Sequence, residues 1–155
     1  MHPLLGAVRA LAEALEHFDD AAARALGVGR SDLRALNQLE HGPLPAGVLA
    51  ARLGLSSGAT TALVDRLVAA GFVARRTAPD DGRKVLVGLQ PAVWQAFARV
   101  YAPCGAAVAT IGEAAPREAA VAEQVLADVA AAVLREAAAL EGCVTAPPAG
   151  LRREP

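Results

Sequence analysis

Between Pro45 and Leu89 the hydrophobic pattern of the chain changes character, and glycine marks each change. Pro45 suits a first helical turn, so a short helix is predicted from Pro45 to Leu53. Gly54 breaks it. Ser56 or Ser57 can cap the next helix, on which Thr60, Leu63, Val64, Leu67 and Val68 line one face until Gly71. Beyond Gly71 the helical spacing gives way to strand-like residues: FVARR reads as a strand, APDDG as a turn and KVLVGL as a second strand. Asp-Gly beside β-branched residues is a hairpin signal. The first helix is too short to stand alone, so the pair must pack on each other through Leu49, Leu53, Leu55 and Leu63, with small Ala50 at the crossing and Gly54 at the turn. A structural αα-hairpin would carry the same helical half. The hairpin directly after it makes the whole a winged helix-turn-helix.

The flanks are helical. Leu4, Val8, Leu11, Leu15, Phe18, Ala22 and Leu26 form one amphipathic stripe that Gly27 and Gly29 end. Ser31 is a candidate cap for a helix presenting Leu33, Leu36 and Leu39 before Gly42-Pro43. Val93, Phe97, Val100, Tyr101, Val108 and Ile111 mark another helix, and Val121, Val125, Val129, Val133 and Leu140 mark one after Pro116. The alanines between them permit close helix approach but leave little bulk for a monomer core, so a homodimer is expected. The fold class is mainly α, with a small β-hairpin wing and a dimerisation body built from both chain ends. We divide the chain into an N-terminal dimerisation helix (1–29), a winged helix-turn-helix (30–90), C-terminal dimerisation helices (91–144) and a frayed tail (145–155).

Charge points to where a partner binds. The net charge is -1, yet residues 30–99 hold nine basic against five acidic side chains, while 1–29 hold two against four and 100–155 four against seven. An anionic partner is therefore expected at the middle segment. No apolar run is long enough for a membrane span, and the acidic N-terminal stretch does not read as a signal peptide, so a cytoplasmic protein is expected. Cys104 and Cys143 lack the close spacing of metal or redox pairs. The histidines at 2, 17 and 41 lie far in sequence from either cysteine, and no paired carboxylates, phosphate-cradling glycine loop or nucleophile motif accompanies them. No enzyme, cofactor or metal is expected.

LAARLGLSSGATTALVDRLVAAGFVARR, Leu49 to Arg76, followed by DDGRKVLVGL, Asp80 to Leu89, resembles the MarR family of transcriptional regulators. The family's wing pattern of Asp, any residue, Arg falls on Asp81 and Arg83. The resemblance implies a homodimer on pseudo-palindromic double-stranded DNA, with the second helix of the pair in the major groove and the wing in the adjacent minor groove. It implies a DNA-facing set of Ser56, Ser57, Gly58, Thr61, Ala62, Arg66, Arg75, Arg76, Asp81, Arg83 and Lys84. Arg83 would enter the minor groove, and Asp81 would hold the wing tip in shape. Arg66, Arg75 and Arg76 are equally suited to pairing within the protein. Where the family often has a long basic residue this chain has Ala62, which points to modest direct readout. Gln90 stands where a Thr usually caps the next helix, with Pro91 after it.

The same resemblance implies a repressor released by a small aromatic acid held between dimer body and winged helix. Arg9, His17, Phe18, Trp94, Phe97 and Tyr101 are the candidates for that pocket, with Arg99 as another carboxylate partner. The alternative is a winged-helix interaction protein with weak or lost operator binding, which the Ser- and Ala-rich outward face of the helix after Gly54 allows.

Overall fold

The computed structural model describes residues 2–78 and 81–143, with the side chains of Gly82, Arg83 and residues 141–143 outside that description. The expected turn residues Pro79 and Asp80, the tail 145–155 and the Cys143 thiol therefore lie outside the described residues. The described chain forms two compact units, one ending at Cys104 and one starting at Gly105.

Helix α1, Pro3–Leu26, opens with the His2 ring accepting the Leu4 amide at 3.2 Å and closes on Gly27 at φ 69°. That left-handed conformation favours glycine. The apolar stripe divides along its length. Ala22 and Ala23 are buried with Leu33, while Leu4, Leu11 and Leu15 are 41–54% exposed. Helix α2, Arg30–Leu39, starts earlier than a Ser31 cap requires. Gly29 is the cap, and Asp32 reaches back to accept its amide at 3.3 Å. A carboxylate three residues in can satisfy an orphan amide, which a serine already inside the helix cannot do for its own predecessor.

Strand β1, Leu44–Pro45, is a third strand absent from the sequence reading. Its two residues carry no alternation and become a strand only by pairing with Val87 and Leu86. Pro45 therefore precedes helix α3, Ala46–Leu53, as its cap rather than opening its first turn. Helix α4, Ser57–Ala69, follows the cap Ser56, whose Oγ accepts the Ala59 amide at 3.3 Å. Thr60, Leu63, Val64 and Leu67 are buried, but Val68 is 38% exposed. The core contacts run along 60, 63, 64 and 67, and the next residue turns about 100° away from that line.

Strands β2, Val73–Ala78, and β3, Asp81–Leu89, complete an antiparallel sheet in the order β1-β3-β2. The hairpin is longer than predicted, with β3 starting at Asp81 rather than Lys84. At Gly88 a Cβ would lie 3.2 Å from Pro43 Cγ, so the chain leading into β1 crosses close above this glycine and a side chain there would press on Pro43. Leu36, Leu39, Leu49, Leu63, Leu67, Val73, Val87, Val93 and Phe97 form one core joining helices and sheet.

Helix α5, Pro91–Ala114, starts at its proline as expected. The Gln90 amide donates to the Phe72 carbonyl at 2.9 Å and the Gln90 carbonyl accepts the Val93 amide at 3.0 Å. Helix entry thus does without a Thr cap. Val93, Phe97, Val100 and Tyr101 face the core of the first unit. In the second unit, helix α6, Pro116–Cys143, approaches the end of α5 closely, a Cβ at Gly112 lying 3.8 Å from that of Ala119. Val125 and Val129 are half-buried. Val108, Ile111, Val121, Val133, Leu134 and Leu140 remain 58–72% exposed.

Candidate nucleic-acid interface

Helices α3 and α4 bend by 109° across the break at Gly54, whose φ of 68° lets the chain reverse in few residues. The Leu55 amide donates to the Ala50 carbonyl at 3.0 Å, sealing the end of α3. With Thr60, Leu63, Val64 and Leu67 inward, the outer face of α4 shows Ser57, Gly58, Thr61, Ala62, Asp65 and Arg66 to solvent. The hydroxyls of Thr60 and Thr61 each donate one turn back, to the Ser56 and Ser57 carbonyls, at 2.9 Å.

Two arginines beside this face are held by carboxylates. Arg66 Nη2 donates to Asp32 Oδ1 at 2.6 Å, and the Asp32 side chain is only 13% exposed. Arg75 faces the same side of the sheet as its buried cross-strand partner Val87, so its guanidinium reaches Asp65 Oδ1 at 2.7 Å. Arg76 lies on the opposite face and is exposed. Lys84 Nζ sits 3.5 Å from Asp81 Oδ2. Arg52 donates to Gln38 at 3.3 Å.

The wing carries an irregularity. Thr77 pairs with Val85, yet the next residue, Ala78, pairs with Asp81. Gly82, Arg83 and Lys84 are thereby left out of the ladder as a bulge, the kind of device that re-aims residues at a sheet end. The sequence points to the α4 and wing residues but not to Asp32, the carboxylate that holds Arg66. Only the fold joins those two positions.

The candidate effector residues fall into two groups. Phe18 and Tyr101 meet edge to face at 5.4 Å, Tyr101 and Phe97 at 5.6 Å, and Phe97 and Trp94 at 6.3 Å. Phe97 is buried in the core, and the Tyr101 hydroxyl donates to Asn37 Oδ1 at 3.4 Å. Burial pushes the Tyr101 phenol up from its ordinary range; the bond to Asn37 opposes the shift, and Asp19 and Glu40 reinforce it. Beside this stack an open depression of about 490 Å³ is lined by Ala25, Leu26, Phe72, Ala96, Arg99 and Val100. His17 is exposed, its Nδ1 3.3 Å from the Glu13 carbonyl oxygen of its own helix. Arg9 lies about two and a half turns before Phe18 on α1, on the exposed half. Neither lines the depression. Among the described residues no cluster of His, Cys, Asp and Glu is arranged to hold a metal ion, and no single helix is long and apolar enough to cross a membrane.

A bent helix pair followed by a bulged hairpin, on one leucine-rich core, is a winged helix-turn-helix. Residues 26–84 match the model of the MarR family. The HTH-type transcriptional regulator YcgE of Bacillus subtilis is 51% identical over 71 residues, which cover 45% of this chain and 46% of that protein. The chain thus matches less than half the length of that relative. The crystal structure of transcriptional regulator Tm0710 from Thermotoga maritima superposes with a TM-score of 0.64 at 20% identity, covering 88% of this chain and 97% of the other. A variant of MepR from S. aureus, bound to an oligodeoxyribonucleotide, does so with a TM-score of 0.56 at 14% identity, covering 87% and 99%. These last two likenesses are of fold.

Proposed function

We propose that this chain is a DNA-binding transcriptional regulator, acting as a homodimer on a pseudo-palindromic operator. One observation carries the reading: α4 presents an unburied face at the bend of the helix pair, and the wing beside it thrusts Gly82, Arg83 and Lys84 out of the ladder. That pairing of elements suits adjacent major and minor grooves. The name of YcgE and the nucleic acid bound to MepR support it by likeness. Dimerisation is supported by the exposed leucines, valines and isoleucine of α1, α5 and α6. The division into a central winged helix at 30–90 between dimerisation helices at 1–29 and 91–144 follows from it.

The regulator acts as a repressor, released when a small aromatic acid enters the first unit. The depression beside the aromatic stack supports this effector step, and Arg99, which is on its lining, is our candidate for the anion partner in preference to Arg9. A thermal-shift screen of phenolic acids checks it: no stabilisation by any of them sinks the effector step.

The test of the main reading is gel shift with duplex DNA from the protein's own upstream region across a salt series. Binding is expected to weaken steeply with salt, and Arg83→Ala to weaken it further and lower the salt slope by about one. Binding unchanged by Arg83→Ala at every salt concentration defeats the wing assignment. The carboxylate-paired state of Arg66 and Arg75 favours a second reading, a protein-interaction module, and failure to bind the upstream duplex even at low salt selects it.

A further inference from the structure

The outer face of α4 is neutral in a way that restricts which bases it can read. Arg66 turns back to Asp32, and Arg75 is held by Asp65. Asp65 is the group on this face suited to a cytosine amino group, and it already accepts from Arg75. What remains toward the start of the helix is Ser57, Gly58, Thr61 and Ala62. Thr61 is exposed and satisfies its hydroxyl hydrogen on the Ser57 carbonyl, so the apolar group it has to offer is its γ-methyl. Beside it a cleft of about 90 Å³, lined by Ala46, Gly47, Ala50, Ser57, Thr60 and Thr61, has room for a methyl group.

In the major groove guanine is read by paired donors from Arg or Lys, and adenine by Asn or Gln. Neither kind of residue stands at Ser57, Gly58, Thr61 or Ala62. The apolar group that bases offer there is the thymine C5-methyl. We infer that Thr61 and Ala62 read thymine methyls, so each operator half-site carries T·A pairs where the first turns of α4 enter. The inference rests on the DNA-binding reading above and adds the base identity to it.

The experiment selects duplexes from a randomised pool with the full-length protein, then remakes the best one with thymine replaced by deoxyuridine, or guanine by 7-deazaguanine, position by position. Removing a contacted methyl is expected to weaken binding about fourfold, the equivalent of one buried CH2. Loss of guanine N7 in the same half-site positions is expected to change nothing. Ala62→Arg, an exposed change, is expected to shift selection toward guanine by on the order of fivefold or more. Binding insensitive to deoxyuridine, or weakened by 7-deazaguanine at those positions, overturns the inference and leaves the regulator reading standing. Failure to enrich any duplex at low salt overturns both.

Discussion

The Arg66 guanidinium reaches 34 residues back along the chain to donate to Asp32 at 2.6 Å, and the same Asp32 accepts the Gly29 amide through its other oxygen. One carboxylate thus starts α2 and ties it to α4. Removing it costs both functions. Asp32→Ala is expected to lower stability by about 1–3 kcal/mol, since it deletes a charge-assisted bond and a helix cap. The melting temperature should fall about 2–4 °C per kcal/mol in a chain of this size. Arg66→Ala should cost less, because 59% of the Arg66 side chain is in solvent. Thermal melts of both single variants and the double variant check this: the double should be little worse than Asp32→Ala alone.

Asp65 and Arg75 are a different kind of pair. Their side chains are 59% and 40% exposed, so the bond adds little stability. It keeps a cation from phosphate and holds an anion on the face expected to meet DNA. On the DNA-binding reading, Asp65→Asn should tighten binding to arbitrary duplexes and steepen the salt slope by about one, while the melting temperature hardly moves. Titration of a random-sequence duplex at two or more salt concentrations measures it; an unchanged slope counts against the pair facing DNA.

The apolar surface of α6 leads to a prediction about assembly. Leu134 is 69% exposed, with Val133 beside it at 58%. Leu134→Glu should disturb no packed core within the chain but should shift the protein from dimer to monomer at micromolar concentration. Sedimentation velocity of parent and variant decides it, and a parent that sediments as a monomer removes the basis of the dimer.

Glu40, just past α2, bears on pH. Partial desolvation raises the carboxyl of this largely exposed side chain from the ordinary 4.5, while His41 pulls the other way. A carboxyl whose folded value is raised binds its proton more readily in the folded state, so stability is greatest below the unfolded value and is lost as pH rises through the folded one. Glu40→Gln should therefore stabilise slightly at neutral pH, and the gain should vanish as the medium is made acid. Melting curves across pH 3–8 (approximately the carboxylate range and above) check it; a gain that grows on acidification contradicts the sign.

The parts of the site legible in the sequence were those written in short spacings. Gly54 and Ser56 are local turn and cap signals, and the run Thr60, Leu63, Val64, Leu67 repeats at helical intervals, so α4 and its outward residues could be named at once. Val68 is exposed although it shares the helical spacing, because spacing alone makes the buried arc one residue wider than the neighbouring elements cover. Strand β1 was missed because Leu44–Pro45 has no pattern of its own. The aromatics Phe18, Trp94, Phe97 and Tyr101 were grouped by scarcity, and the fold stacks them into a run of edge contacts.

By itself the sequence determined the helix-turn-helix, the hairpin and the unusual neutrality of Ser57, Gly58, Thr61 and Ala62, because backbone conformation and amphipathic facing depend on residues a few positions apart. Only the tertiary structure decided which cations remain available around them. Asp32 meets Arg66 and Asp65 meets Arg75 through packing between elements, and an ion pair forms where the fold brings charges within a few ångströms, whatever their separation along the chain.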